Sequence, residues 1–301
     1  MDLPHHRARP QAQLPITPAL RRQLAAWLEE DLGRGDLSAA ALSGRSGRAH
    51  WRAKAAGVFC GGVLAEPLFQ QLDPAVQVRV LVADGASVQA GERLLELSGP
   101  ATALVAGERT ALNLAMRLSG IATATAALAA QLMGTGVRLA DTRKTSPGLR
   151  ILEKYAVRCG GGCNHRLGLD DAAMLKENHL AWAGGVGPAI AAVRAAAPWP
   201  ARVIVEAETE AEALAAVAAG ADAVLLDEFS PAALETLVPR LRQQASAQQR
   251  AVVLEASGVQ PDQLSSYATT GIDLISTSAP ITRSPWLDLS MRFSLDATPA
   301  S

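Results

Sequence analysis

Six short apolar runs in the second half of the chain are each followed by residues able to do chemistry. The run 137–140 leads into Asp141, Thr142, Arg143, Lys144 and Thr145, and the run 172–175 into Lys176, Glu177, Asn178 and His179. Glu206 and Glu208 follow 203–205, and Asp227 and Glu228 follow 223–226. Glu255, Ser257 and Gly258 follow 251–254, and Ser276, Thr277 and Ser278 follow 272–275. These groups divide by sign. Arg143, Lys144, Arg158, His165, Arg166 and Lys176 form a basic cluster, and Glu206, Glu208, Asp227 and Glu228 an acidic one. A guanidinium fork matches a carboxylate or phosphate with two hydrogen bonds, and each charge-assisted bond contributes roughly 1.5–3 kcal/mol. A carboxylate cluster suits a hard divalent cation such as Mg²⁺, or a cationic transition state. Together they predict a small anionic substrate, a phosphorylated cosubstrate with Mg²⁺, and positive charge developing between them.

Other residues carry weaker signals. Gly160-Gly161-Gly162 lies among the basic residues, where glycine lets backbone approach a ligand or take positive φ. Cys159 and Cys163 flank it, but no second pair completes a structural zinc site. His165, beside Arg166, suits anion binding or a hydrogen-bonded core position, and His179 is open between the same two roles. His5, His6 and His50 read as surface residues. Arg109 is expected at the start of a helix over 108–133, where a cation opposes the helix dipole and hints at a ligand.

The elements that must position these groups follow from spacing. Helix-like segments at 210–219, 231–244 and 261–269 separate the last four apolar runs. Such β-α-β-α alternation predicts a parallel sheet with helical crossovers. No G-x-G-x-x-G turn follows a strand, which disfavours an open dinucleotide-binding sheet. A closed β/α barrel with its site at the carboxyl ends of the strands is the better reading. In the first half, 20–32 has helical spacing, while Val76, Val78, Val80 and Val82 alternate as in a half-buried strand. The stretch 84–95, with turn signals at Asp84-Gly85 and Gly91, resembles a unit of biotinyl-carrier-like β domains without their Met-Lys-Met site. It reads as a structural β layer.

Composition narrows the function classes. With 28 Lys+Arg against 29 Asp+Glu in 301 residues, no global basic field exists to hold nucleic acid. A hydrophobic content of 49% excludes a disordered chain. No uninterrupted apolar run reaches the roughly 18 residues of a membrane span. Three cysteines make no disulfide framework, and the N-terminus lacks the apolar core of a signal peptide. A soluble, cytoplasmic protein is expected, with a loose leader over 4–18 and a frayed tail over 297–301.

The central motifs resemble those of quinolinate phosphoribosyltransferase (nicotinate-nucleotide pyrophosphorylase, carboxylating). They are Glu108-Arg109-Thr110-Ala111-Leu112-Asn113, Arg117-Leu118-Ser119-Gly120-Ile121-Ala122-Thr123, Asp141-Thr142-Arg143-Lys144-Thr145-Ser146-Pro147-Gly148-Leu149-Arg150 and Glu153-Lys154-Tyr155-Ala156-Val157. The likeness continues through Gly160-Gly161-Gly162-Cys163-Asn164-His165-Arg166 to Lys176-Glu177-Asn178-His179, and spans residues 30 to 293. It implies an α/β fold, with an N-terminal α/β sandwich domain over 20–115 joined by residues 286–296. A β/α barrel of about seven strands over 116–285 would complete it. It implies transfer of phosphoribose from phosphoribosyl pyrophosphate to quinolinate, with loss of CO₂ and pyrophosphate, giving nicotinate mononucleotide for NAD synthesis. Arg109, Arg143, His165, Arg166 and Lys176 match residues that hold quinolinate, and Lys144 matches a phosphoribosyl pyrophosphate contact. Glu206 and Asp227 match an acidic pair near ribose and Mg²⁺, which would touch the metal directly or through its pyrophosphate. They would act with Lys144 as the catalytic groups. Ser257, Gly258, Ser278 and Ala279 match phosphate-binding loops. The family likeness also implies a homodimer, or a hexamer built of dimers, with Arg109 supplied across the interface, and neither nucleic acid nor membrane as partner.

The sequence departs from the family pattern at four places. Ile204 replaces a third acid, Glu228 an Asn, and Val259 the Gly or Asn that usually follows the Ser-Gly pair matched by Ser257-Gly258. Ser276-Thr277-Ser278-Ala279-Pro280-Ile281 replaces the usual Ser-Val-Gly-Ala-Leu-Thr loop. That loop resembles a paralogue associated with molybdenum uptake, with another acceptor or no catalysis. Lys176 and the 155–166 stretch instead look like the carboxylating enzyme.

Overall fold

The structure, a computed structural model, describes residues 12–295. His5, His6, most of the 4–18 leader and the 297–301 tail lie outside the described residues. The elements in the first half are α1 (Pro18–Leu32), β1 (Ser46–Ala53), β2 (Gly57–Val58), α2 (Ala65–Leu72), β3 (Gln77–Val80), β4 (Ser87–Val88), β5 (Arg93–Pro100) and α3 (Ala101–Gln131). Then come β6 (Arg138–Ala140), α4 (Arg150–Cys159), β7 (Ala173–Leu175), α5 (Glu177–Ala183), α6 (Val186–Ala196), β8 (Val203–Ala207), α7 (Glu210–Ala218) and β9 (Ala223–Asp227). The chain closes with α8 (Pro231–Ala247), β10 (Val253–Ser257), α9 (Leu264–Tyr267), β11 (Leu274–Ser276), α10 (Ala279–Thr282) and β12 (Leu289–Leu295). The described residues divide into two compact units: residues 12–126 with Tyr155–Gly161 and residues 284–295, and Ala127–Lys154 with Gly162–Arg283.

The first unit is built on a four-stranded antiparallel sheet in the order β12-β1-β5-β3. Strand β1 alternates buried and exposed residues, so Ala49, Trp51 and Ala53 line the core. Helix α1 starts at Thr17, whose hydroxyl accepts the Leu20 N–H at 3.2 Å, and buries Leu20, Leu24 and Leu28. The Asp84-Gly85 turn does more than reverse the chain. The Asp84 carboxylate accepts the N–H groups of Gly61 (3.0 Å) and Gly62 (2.8 Å) and the Tyr155 hydroxyl (2.9 Å). Burial raises the Asp84 pKa, and those donors pull it back.

Helix α3 begins at Ala101, seven residues before the expected start. Residues 101–106 contain no breaker, and Gly107 is accommodated because a Cβ there would collide with Phe69 at 2.6 Å. Arg109 is therefore an exposed residue inside the helix, and the dipole argument for it fails. By length and composition α3 could cross a membrane, but Leu104, Leu112, Leu118 and Ile121 are buried within the protein, as in a core helix.

The second unit holds a six-stranded parallel sheet, β6-β11-β10-β9-β8-β7. The seventh position expected of the barrel is reduced to one parallel bridge between Ala140 and Cys163. The ladder stops there because the next backbone donor, the His165 N–H, goes to the Asp141 carboxylate at 2.7 Å. Alternation sorts the strands: Val203, Val205, Ala207, Val224, Leu226, Leu254, Ala256 and Ile275 join one buried core with Ala213, Val217, Leu237 and Leu241 of the helices. The intervening residues, Glu206, Asp227, Glu255, Ser257 and Ser276, have the opposite parity and so point away from the helices. Strands β8, β9 and β10 run further than the apolar runs suggested, so Glu206 and Glu255 lie inside strands rather than after them.

At the amino ends of these strands, acidic and guanidinium groups bind backbone. Asp222 accepts the Val203 N–H at 2.8 Å, and Asp273 accepts the Leu254 N–H at 2.7 Å. Arg194 and Arg250 both donate to the Gly220 carbonyl, and Arg242 to those of Val252 and Gly271.

Two glycine-to-alanine changes should move stability in opposite directions. A Cβ at Gly120 would lie 2.1 Å from the backbone oxygen of Pro285, whereas Gly187 in α6 has nothing within 4 Å. Gly120→Ala is expected to cost about 1–3 kcal/mol or more, and Gly187→Ala to stabilise by about 0.4–1 kcal/mol. Urea-unfolding midpoints of the two variants check this.

Candidate active site

The site is assembled around a buried carboxylate. Asp141, just past β6, has a fully buried side chain that accepts three donors: Lys154 Nζ at 2.6 Å, Asn164 Nδ2 at 2.7 Å and the His165 N–H at 2.7 Å. Lys154 projects from α4, is also buried, and donates to the His165 carbonyl at 3.0 Å. Asn164 donates as well to the Lys154 carbonyl at 2.8 Å. Burial raises the Asp141 pKa and lowers that of Lys154, while each charge holds the other in its ionised form. Nearby, Glu153 receives both the N–H and the hydroxyl of Ser146 and fixes the loop after Arg143 and Lys144.

Above this network stands the basic wall. Arg166 anchors one Nη on the Ala172 carbonyl at 2.9 Å. Its pKa is lowered by burial and by the neighbouring Arg143 guanidinium, and raised again by Glu206. Arg143 Nε is buried without a hydrogen-bond partner. Two adjacent guanidiniums, one with an unused donor, call for an anion between them. Lys176 reaches across from the end of β7 and pairs with Glu206 of β8. His165 has both ring nitrogens engaged: Nδ1 accepts the Arg166 N–H at 2.7 Å, and Nε2 lies 3.4 Å from Glu255.

The acidic side is equally compact. Carboxylate oxygens of Glu206, Glu208 and Asp227 lie within 4.8 Å of one another. Glu208 is pinned by its own N–H, donated to Glu212, which also closes a capping box with Thr209 at the start of α7. Desolvation, then Glu177, Glu212, Asp227 and Glu206, raise the Glu208 pKa. Glu208, Asp227 and Glu228 line a cavity of about 370 Å³, within the roughly 300–1,000 Å³ of small-molecule sites. Glu228 takes a left-handed φ of 57°, uncommon for a side chain with a Cβ, and Gly258 at φ 78° packs against it. Ser257 is in register with Asp227 and accepts the Glu228 N–H at 3.3 Å.

The structure thus brings together Arg143, Arg166, Lys176, Glu206, Glu208, Asp227, Ser257 and Gly258, with His165 alongside. Lys144 is exposed on the loop after β6. Ser278 and Ala279 follow β11, the neighbour of β6. Ser278 has φ −85° and Pro280 sits in the first turn of α10, so neither departure from the family loop strains the backbone. Arg109 belongs to the other unit. His179 is exposed and its Nδ1 accepts the Lys176 N–H at 3.1 Å, a local helix-start contact. Spacing did not reveal Lys154, Asn164 or Glu255 as members of the network. The available signal for Glu255 was an acid embedded in the strand-forming run 251–256.

Two family models match the chain: quinolinate phosphoribosyl transferase, N-terminal domain, over residues 36–119, and quinolinate phosphoribosyl transferase, C-terminal domain, over residues 121–292. A probable nicotinate-nucleotide pyrophosphorylase (carboxylating) of Synechocystis is 45% identical over 271 residues, covering 89% of this chain and 90% of that protein. The human nicotinate-nucleotide pyrophosphorylase (carboxylating) is 39% identical over 284 residues, 92% of each chain. The crystal structure of NadC from Streptococcus pyogenes aligns with a TM-score of 0.87 at 36% identity, covering 95% of this chain and all of that one.

Removing one partner of the buried pair should be costly. Lys154→Met is expected to lose about 3–5 kcal/mol by leaving Asp141 uncompensated. The Asp141→Asn/Lys154→Met double variant should lose less than the sum of the two single changes, measured as a double-mutant cycle in urea.

Proposed function

The chain belongs to the quinolinate phosphoribosyl transferase family, and on that premise we propose that it transfers phosphoribose from phosphoribosyl pyrophosphate to quinolinate, releasing pyrophosphate and CO₂ and giving nicotinate mononucleotide. The observation that carries this reading is the juxtaposition of the Arg143–Arg166 pair with Glu206, which joins a cationic wall to an acidic pocket. Arg143, Arg166 and Lys176 hold the two carboxylates of quinolinate, His165 supports the same wall, and Lys144 contacts the pyrophosphate. Ser257, Gly258, Ser278 and Ala279 receive phosphate oxygens. As the C1–pyrophosphate bond breaks, Glu206 and Asp227 stabilise the oxocarbenium-like ribose. The pyridine nitrogen carries no proton, so its attack on C1 needs no general base, and the wall's task is orientation. Loss of the 2-carboxylate as CO₂ then leaves an electron pair on C2, which the adjacent pyridinium nitrogen stabilises until a proton from solvent takes the place of the carboxylate.

The chemistry of the donor set fits Mg²⁺: three clustered carboxylates with open space beside them. Glu206 and Asp227, with Glu208, would hold the ion directly or through the pyrophosphate, and bound Mg²⁺ would neutralise charge growing on the leaving group. The Lys176–Glu206 ion pair spans both halves of the site, so a substrate carboxylate taking Lys176 frees Glu206 for the ribose. The free thiols of Cys60, Cys159 and Cys163 suit a reducing cytoplasm. Exposed Arg109 suits a residue supplied to a neighbour's site in a homodimer, or in a hexamer of dimers.

Purified protein given quinolinate, phosphoribosyl pyrophosphate and Mg²⁺ should form nicotinate mononucleotide, with nicotinate a poor acceptor; well-folded protein without turnover would refute the assignment. Arg109→Ala and Lys176→Ala chains, each inactive alone, should regain part of the activity when mixed. Mixed dimers that form but stay inert would mean that each chain completes its own site.

A further inference from the structure

Glu255 lies in the middle of β10 with its side chain 2% exposed, between Leu225 of β9 and Leu274 of β11 in the register of the sheet. One of its oxygens, Oε1, has no hydrogen-bond partner, and the other lies 3.4 Å from His165 Nε2. An unpaired carboxylate at such a place is strongly disfavoured, so its presence calls for a specific partner. The other face of the imidazole identifies what the partner does. His165 Nδ1 accepts the Arg166 N–H at 2.7 Å, so that nitrogen presents a lone pair and the ring proton resides on Nε2, the nitrogen facing Glu255. The backbone of His165 is held as firmly, its N–H on Asp141 and its carbonyl on Lys154 Nζ. Arg166, tied through its own amide to Nδ1, then spreads its guanidinium between the Ala172 carbonyl and Arg143.

We infer that Glu255 is a positioning residue: it fixes the His165 ring with the proton on Nε2, leaving Nδ1 to orient Arg166 toward a substrate carboxylate. This deepens the reading of the site as a quinolinate site and rests on it. It also gives a role to an acid that stands in an otherwise apolar stretch of strand.

The inference is tested by steady-state kinetics on Glu255→Leu and Glu255→Gln, together with nitrogen NMR of histidine-labelled wild-type protein assigned with His165→Gln. Loss of the 3.4 Å contact between Glu255 and His165 Nε2 should raise the KM for quinolinate about tenfold in Glu255→Leu, with the KM for phosphoribosyl pyrophosphate nearly unchanged. Glu255→Gln, whose amide oxygen can still accept from Nε2, should recover most of that loss. In the wild type, His165 Nδ1 should show the chemical shift of an unprotonated nitrogen and Nε2 that of a protonated one. Equal rises in both KM values, no recovery in Glu255→Gln, or a proton on Nδ1 would each overturn the inference. If Glu255→Leu does not fold, the kinetics of Glu255→Gln and a proton found on Nδ1 in the wild type can each still overturn it. Wild-type protein inert toward quinolinate would refute the functional reading separately, and the NMR result would still settle the tautomer.

Discussion

The second unit depends on satisfying one carboxylate. Asp141 has no access to water, so its charge is tolerable only because an ammonium, an amide and a backbone N–H all converge on it. Those donors come from α4 and from the segment that follows the three glycines. Meeting the electrostatic need of Asp141 therefore fixes where β6, α4 and residues 163–165 lie with respect to each other. Arg143 is two residues beyond Asp141, and Arg166 one beyond His165. The guanidiniums that make the cationic wall are thus placed by a neutralised pair beneath them, with Arg166 also held by the Ala172 carbonyl. The network also ends the sheet ladder at Cys163, trading a strand for a fixed loop.

A second constraint, the two-residue period of a strand, separates structure from chemistry. On β8 and β10 the odd and even positions go to opposite faces, one filled by Val, Leu and Ala against helices, the other carrying Glu206, Glu255 and Ser257. A one-residue slip would bury two glutamates among apolar side chains and expose the helix-facing residues. The register that forms the core is therefore the register that assembles the site.

Much of this was legible in the sequence. The apolar runs located all six strands of the parallel sheet, and the residues following them located the acidic pocket. The sign division between 141–179 and 206–228 also holds in space, through the Lys176–Glu206 pair. Other features were not legible because the competition is decided in three dimensions. The start of α3 was placed at Glu108 because charge marks a boundary in sequence, yet nothing between 101 and 107 stops a helix once Gly107 packs on Phe69. Nothing in the sequence marks Lys154 as buried; that follows only once Asp141 is seen opposite it. Glu255 reads as one more residue after a strand, since period-2 alternation cannot say how far a strand continues. His165 stays open in the sequence between anion binding and a hydrogen-bonded core position, because sequence cannot show which contacts its two nitrogens make.

The Arg and Asp contacts at the amino ends of the strands have an evolutionary consequence. Arg194, Asp222, Arg242, Arg250 and Asp273 tie the loops to the strand termini farthest from the acidic pocket. Loops at the opposite ends are thereby relieved of holding the sheet together. They can accumulate exchanges such as Ser278, Pro280 or Glu228 while the scaffold persists. A lineage built this way can explore new acceptors by drift at one rim, with the other rim supplying the robustness that keeps each intermediate foldable.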